Sequence, residues 1–195
     1  MKLNKKYYIL RHGEAVSNVR RVISSWPEKF KNPLTKHGKE TILAAAEILK
    51  ENHAKHGHAI DVIFASPLLR TKQTAQIVAK ELNVPLKFDK RLREIGAGSL
   101  NGKTLAEWKA YFKEEKRTIN NAAPRGETYT QILARMLDFL KEINKECKGK
   151  NILIVSHQSP LWILENKVKG FTLSGGMKRS PEELRIEKGQ IKELN

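Results

Sequence analysis

Three short runs of apolar and β-branched residues, YYIL at 7–10, IDVIFA at 60–65 and NILIVS at 151–156, are each bounded by polar segments. Runs of this length without strict alternation read as strands covered on both faces, the habit of a parallel sheet with helices above and below. Helical stripes fall between them: Ile42, Ala45, Ala46 and Leu49; then Ala75, Val78, Ala79 and Leu82; then Leu133, Met136, Leu137 and Leu140. A shorter strand is expected at 86–88. This alternation predicts an α/β fold, a three-layer α/β/α sandwich around a mostly parallel central sheet. The tail ELRIEKGQIKELN alternates apolar and charged residues about Lys188-Gly189 and predicts a closing hairpin or an edge strand.

The 195 residues, 39% of them apolar, suit a single domain over 1–195 with a short lid-like excursion around 99–124. No run is long enough to cross a bilayer, and the basic N-terminus meets only YYIL before charge returns, so the expected location is cytoplasmic, away from membranes. The lone Cys147 sits in a polar, helix-like stretch and reads as a bystander. The formal charge of +16 favours anionic partners. Its basic residues are scattered along the chain, so nucleic acid is the lesser reading beside solvated surface and a field that attracts phosphate.

Each main strand runs straight into a polar, potentially reactive group. YYIL leads to Arg11-His12-Gly13-Glu14, IDVIFA to Ser66-Pro67 with Arg70 following, and ILIVS to His157. The carboxyl ends of parallel strands share one edge of the sheet, so these groups should converge. Phosphoryl transfer to a side chain needs a neutral nucleophile, fixed cations for the non-bridging oxygens and an acid for the leaving oxygen. His12 can be the nucleophile, since neighbouring cations depress an imidazole pKa. Arg11 and Arg70 can offer planar, bidentate guanidinium groups. Ser66-Pro67 reads as an N-cap and first helical residue, which would set Arg70 in the first turn near the positive end of a helix dipole.

Order and spacing then add a resemblance. Arg11-His12-Gly13-Glu14 with Asn18, Pro33-Leu34-Thr35-x-x-Gly38, and Ser66-Pro67-x-x-Arg70-x-x-x-Thr74-Ala75 resemble the histidine phosphatase superfamily, the phosphoglycerate mutase-like group. Leu92-x-Glu94 with Gly98 and Gly102, Gly126-Glu127-Thr128 and Val155-Ser156-His157 continue the likeness to about residue 165. The resemblance implies that His12 becomes phosphorylated, that Arg11, Arg70 and His157 surround the phosphate, that Asn18 adds a donor, and that Glu94 is the general acid and base. Read from the residues alone, Glu14 is an alternative acid, and Glu94 an alternative ion-pair partner of its arginine neighbours.

Arg21 lies near the place of a substrate-loop arginine in the family, one residue off its usual spacing from Asn18. Gln158 stands where the family usually has glycine; its backbone N–H could still meet a phosphate oxygen, and Ser159-Pro160 suits a helix N-cap and first residue. Glu127 and Thr128 are expected at a helix start. Trp108, Tyr111 and Phe112 are expected in packing or over the substrate pocket. His37, His53, His56 and His58 lack ligand spacing and read as surface or loop residues, so neither a metal nor another cofactor is expected. A mutase needs an extensive lid to keep water from its phosphohistidine, and the stretch between Gly102 and Gly126 is shorter than the insertion of the family's glycolytic mutases, so the resemblance favours a phosphatase acting on a small phosphorylated metabolite. A phosphoglycerate-type mutase and a polyanion- or RNA-binding protein of the same fold remain as alternatives. Monomer and homodimer stay equally open.

Overall fold

The computed structural model describes residues 3–56, 59–115, 118–177 and 186–195, the side chains of 52–56 excepted. In chain order the elements are β1 (Tyr7–Arg11), α1 (Val16–Arg20), α2 (Lys36–His56), β2 (Val62–Ala65), α3 (Leu69–Leu82) and β3 (Leu86–Phe88). There follow α4 (Leu105–Glu114), α5 (Tyr129–Glu146), β4 (Ile152–Ser156), α6 (Gln158–Val168), α7 (Leu173–Met177) and β5 (Ile191–Glu193). Short 3-10 turns occupy Lys90–Leu92 and Gly98–Leu100.

The sheet order is β3-β2-β4-β1-β5. The first four strands are parallel, and β5 closes the edge antiparallel to β1 with Ile9 opposite Lys192. The C-terminal tail is therefore an edge strand, and Gln190 donates back to the Glu187 carbonyl to form its turn. Residues 183–185, the other arm of the expected hairpin, lie outside the described residues.

Alternate residues of each strand feed opposite cores, as the period of two requires. Tyr7, Ile9, Phe64, Ile152 and Ile154 meet α5 and α6 on one face. Leu10, Ile63, Ala65, Leu153 and Val155 meet α2 and α3 on the other. Burying each such aliphatic or aromatic side chain contributes about 1.5–3 kcal/mol, so both faces hold the strand ends stiffly. The stripes predicted on α2 and α3 face their core. On α5 the buried stripe is Ile132, Met136, Phe139, Leu140 and Ile143, rotated from the expected one, with Leu133 and Leu137 only partly covered.

Two helix starts differ from expectation. Helix α3 begins at Leu69 with Leu68 at the N-cap, so Ser66 and Pro67 lie in the connection before it. Helix α6 begins at Gln158 with His157 at the N-cap, which puts Ser159 and Pro160 inside its first turn. Proline is tolerated there because first-turn N–H groups have no intrahelical acceptor. The cap expected at Thr128 is present, its side chain accepting from Gln131 N while Gln131 returns a bond to Thr128 N at 2.8 Å. His37 is exposed on α2; the side chains of His53 and His56, and all of His58, lie outside the described residues. Among the described residues no helix is long and apolar enough to cross a membrane.

Candidate active site

The parallel register brings the ends of β1, β2 and β4 side by side: Arg11 pairs with Ser156, Ala65 with Val155, and His12 N donates to the Ser156 carbonyl at 3.1 Å. A cavity of about 410 Å³ opens there. Seven of the eight predicted site residues line it: Arg11, His12, Asn18, Arg21, Arg70, Glu94 and Gln158. His157 is not in the lining. It is fully buried behind His12, with ring centroids 5.2 Å apart.

His12 is itself only 3% exposed, and both ring nitrogens are engaged. Nδ1 lies 2.8 Å from the Gly13 carbonyl oxygen, and Arg70 Nε donates to Nε2 at 3.1 Å. A carbonyl can only accept and a guanidinium can only donate, so the two bonds together fix the tautomer. The proton sits on Nδ1 and the lone pair on Nε2. Burial first, then Arg70 and Arg11, push the pKa of His12 well below the usual imidazole range, and the Gly13 bond opposes them.

The same causes keep His157 neutral: burial, then Arg70, then His12. Its Nε2 lies 2.8 Å from Ser66 Oγ, a hydroxyl that can donate or accept. Among the described residues its buried Nδ1 has no partner.

Arg70, on the first turn of α3, is held from three sides. Besides His12 it donates to the Ser24 carbonyl at 3.0 Å, and Glu28 approaches it at 3.8 Å. Burial lowers its pKa while Glu94 and Glu28 raise it, so Glu94 is close enough to act on this guanidinium. Arg11 Nη1 donates to Gln158 Oε1 at 2.9 Å and to the Ile186 carbonyl at 2.8 Å. The Gln158 side chain thus faces the arginine. Asn18 Oδ1 accepts from Ala15 N at 2.9 Å, which leaves its Nδ2 amide as the donor it can offer an anion. Arg21 closes α1 in the left-handed conformation at φ 54° and stands exposed at the cavity mouth.

The two candidate acids differ in placement. Glu94 lines the cavity with Oε1 accepting from Ile95 N at 2.8 Å. Glu14 does not line it; Thr35 Oγ1 donates to its Oε1 at 2.9 Å and Lys188 lies 3.7 Å from Oε2.

The glycines of two motifs meet directly. A Cβ on Gly38 would lie 2.1 Å from the Glu14 carbonyl oxygen, and one on Gly13 would lie 2.7 Å from the Gly38 carbonyl oxygen. Only glycine permits this approach, by which α2 buttresses the loop that carries His12. Thr35 bridges the same two segments, accepting from Gly38 N while donating to Glu14.

Three lining residues were given no place in the site by the sequence, Ser24, Tyr129 and Lys188, and Ser159 was read only as a helix cap. Trp108 covers part of the cavity and also packs on Phe112 at 4.7 Å, combining the two roles expected of that aromatic group. Among the described residues no group of three or more His, Cys, Asp or Glu side chains has the arrangement to hold a metal ion.

The sequence pattern of the histidine phosphatase superfamily (branch 1) matches residues 7–187. A probable phosphoglycerate mutase, GpmB, of Escherichia coli O1:K1 / APEC is 30% identical over 168 residues, covering 84% of this chain and 74% of that protein. Among solved structures, Bacillus stearothermophilus YhfR superposes with a TM-score of 0.78 at 27% identity, covering 96% of this chain and 90% of that one. A mycobacterial glucosyl-3-phosphoglycerate phosphatase solved with VO3 gives a TM-score of 0.80 at 20% identity, covering 97% and 90%, a likeness of fold. Motif order, strand-end geometry and the match across nearly the whole chain agree: this protein belongs to branch 1 of the histidine phosphatase superfamily.

Proposed function

We propose that the protein is a phosphomonoesterase that hydrolyses a small phosphorylated metabolite through a phosphohistidine on His12. The observation that carries this reading is the fixed tautomer of His12, whose Nε2 lone pair is held by Arg70 beside the cavity. A phosphate dianion entering the cavity draws the Arg70 Nε–H from His12 Nε2 to one of its own oxygens and frees the lone pair to attack phosphorus. The N–P bond forms as the P–O bond to the leaving group breaks, and Glu94 gives its proton to the departing oxygen. Water then attacks phosphorus, Glu94 takes its proton, and the N–P bond breaks to release inorganic phosphate and neutral His12.

Arg11, Arg70 and Asn18 stabilise the charge on the equatorial oxygens, and His157 packs behind the nucleophile, its ring centroid 5.2 Å from that of His12. Glu94 is preferred to Glu14 as the acid because it lines the cavity. Hydrolysis is preferred to transfer between positions because, among the described residues of the excursion after Gly102, only the ten-residue α4, through Leu105 and Trp108, covers the cavity. The likeness to GpmB, a probable phosphoglycerate mutase, favours a mutase as the second reading.

The test screens wild type and His12→Ala against phosphorylated metabolites with a chelator present, trapping acid-labile phosphoprotein by mass spectrometry. Turnover with a trapped phosphohistidine in wild type only is expected. Turnover that survives in His12→Ala, or that vanishes with the chelator, overturns the reading. Phosphate migration outpacing its release would transfer the site to the mutase reading.

A further inference from the structure

A second cavity, of about 630 Å³, lies close to the first and shares none of its lining residues. Trp26, Gly96, Gly98 and Gly126 form part of its wall, and the exposed cations Lys29 and Arg125 also line it. Glu127 is in the lining too, but Arg135 grips its carboxylate at 2.7 and 2.9 Å and Gly96 N donates to it at 3.0 Å. That negative charge is cancelled locally. Among the described residues neither Lys29 nor Arg125 is in an ion pair, so the cavity carries an uncompensated positive charge.

Arg125 also sits in the left-handed region at φ 60°. A residue with a Cβ loses roughly 1–2 kcal/mol there, which glycine would not. The surrounding backbone enforces that turn: a Cβ on Gly98 would lie 2.2 Å from the Pro124 carbonyl oxygen, and one on Gly126 would lie 2.8 Å from that of Ala123. The chain thus carries a guanidinium where its backbone favours glycine, and strain of this kind marks ligand sites.

The two cavities meet through three consecutive residues. Glu94 and Ile95 line the first and Gly96 the second. Trp26 reaches across, lining the second while its Nε1 donates to the Glu94 carbonyl at 2.9 Å. We propose that the second cavity binds a small organic polyanion, bearing two or more carboxylate or phosphate groups, through Lys29 and Arg125. Occupancy is transmitted to Glu94 through Trp26 and the Ile95-Gly96 backbone. The coupling half rests on the phosphatase reading; the binding half does not.

Calorimetric titration of the whole protein with tricarballylate, and separately with methylenediphosphonate, tests the site with ligands that a phosphomonoesterase does not turn over. The two arms separate carboxylate from phosphate recognition. Wild type should show two classes of site for at least one probe, and His12→Ala should keep both. Lys29→Glu with Arg125→Gly should lose the second class, by at least tenfold in affinity. Arg125→Gly relieves the left-handed strain, so its Tm should not fall, and lost binding is then not lost folding. With substrate saturating, the probe should change kcat at least twofold in wild type and not in the double variant. One class of site in wild type, two classes surviving in the double variant, or an unchanged kcat overturns the proposal. If no phosphate ester is turned over, the phosphatase reading fails, and the calorimetry still decides the site.

Discussion

Arg70 Nε and His12 Nε2 are joined by a 3.1 Å hydrogen bond between two buried side chains, one permanently charged and the other held neutral. The bond protects the lone pair from protonation and places a guanidinium, the proposed phosphate-binding cation, against the proposed nucleophile. A guanidinium does this better than an ammonium, because its remaining N–H groups stay anchored on Ser24 while Nε faces the ring.

Arg70→Met should therefore lower kcat/KM by about 10²–10³, the usual loss on removing one donor to developing charge in a dry site. The His12 pKa should rise, since Arg70 is the largest cause of its depression after burial. Imidazole titration by NMR reads the second effect independently of turnover. A His12 pKa that stays where it is in wild type would sink the electrostatic account. Arg70→Lys should restore the charge but not the anchoring, giving intermediate kcat/KM.

Stability should fall as the solution is acidified. His12 and His157 have folded pKa values well below their unfolded ones, so below about pH 6.5 the unfolded chain takes up protons that the folded protein refuses. Their contribution is complete above that pH and is lost as the pH falls toward the folded values. Each histidine can add a slope of up to about 1.4 kcal/mol per pH unit in this window. Denaturant titrations of wild type and His12→Asn between pH 7 and 5 should show a shallower slope in the variant. Equal slopes would mean that His12 charges as freely as in the unfolded chain.

The sheet and the convergence at its edge were legible because buried parallel strands are continuous apolar runs, and each ended in a chemical group. Helix starts were less so. Ser66-Pro67 and Ser159-Pro160 have cap chemistry, yet Ser66 Oγ lies against His157 and the helix waits until Leu69. Ser66 Oγ still accepts from Leu68 N at 3.4 Å, but its shorter contact is the tertiary one to His157 at 2.8 Å. Lys188 and Ser24 could not be found from motifs, because nothing in their local pattern reports where the segments carrying them run. Lys188 reaches the cavity only because β5 pairs with the β1 edge and draws the 186–190 segment past Arg11, whose backbone bonds Gly189 and Gln190. The second histidine was legible, but its burial behind His12 was not, since spacing does not tell a cavity wall from the layer beneath it.

Gln158 should act through Arg11. Its side-chain oxygen Oε1 and the Ile186 carbonyl oxygen both accept from Arg11 Nη1. Hydrogen bonds to a charged group contribute about 1.5–3 kcal/mol, and an ionised acceptor holds more strongly still. Gln158→Glu should therefore compete with phosphate for the arginine and raise KM about tenfold or more with a smaller change in kcat. Gln158→Gly should release Arg11 and leave KM within a few-fold of wild type. The same KM in both variants would show that this side chain does not govern the arginine.

Gly38→Ala gives the sharpest test of how the fold sets the site. Within a helix alanine is ordinarily better than glycine by about 1 kcal/mol, so propensity alone predicts a more stable protein. Here the added Cβ would lie 2.1 Å from the Glu14 carbonyl oxygen and 2.8 Å from its nitrogen, atoms of backbone that cannot rotate aside. Relief requires α2 and the Gly13-Glu14 segment to part, and overpacking of that kind costs about 1–3 kcal/mol or more. For a chain of this size that corresponds to a Tm lower by roughly 2–12 °C. His12 rides on the displaced segment, and a misplacement of about 1 Å can cost 10²-fold in rate, so kcat should fall with Tm. Thermal unfolding and steady-state kinetics on the one variant decide the matter. A Tm above wild type would show that α2 does not press on the nucleophile loop, and a lower Tm with unchanged kcat that the loop does not set the geometry of His12.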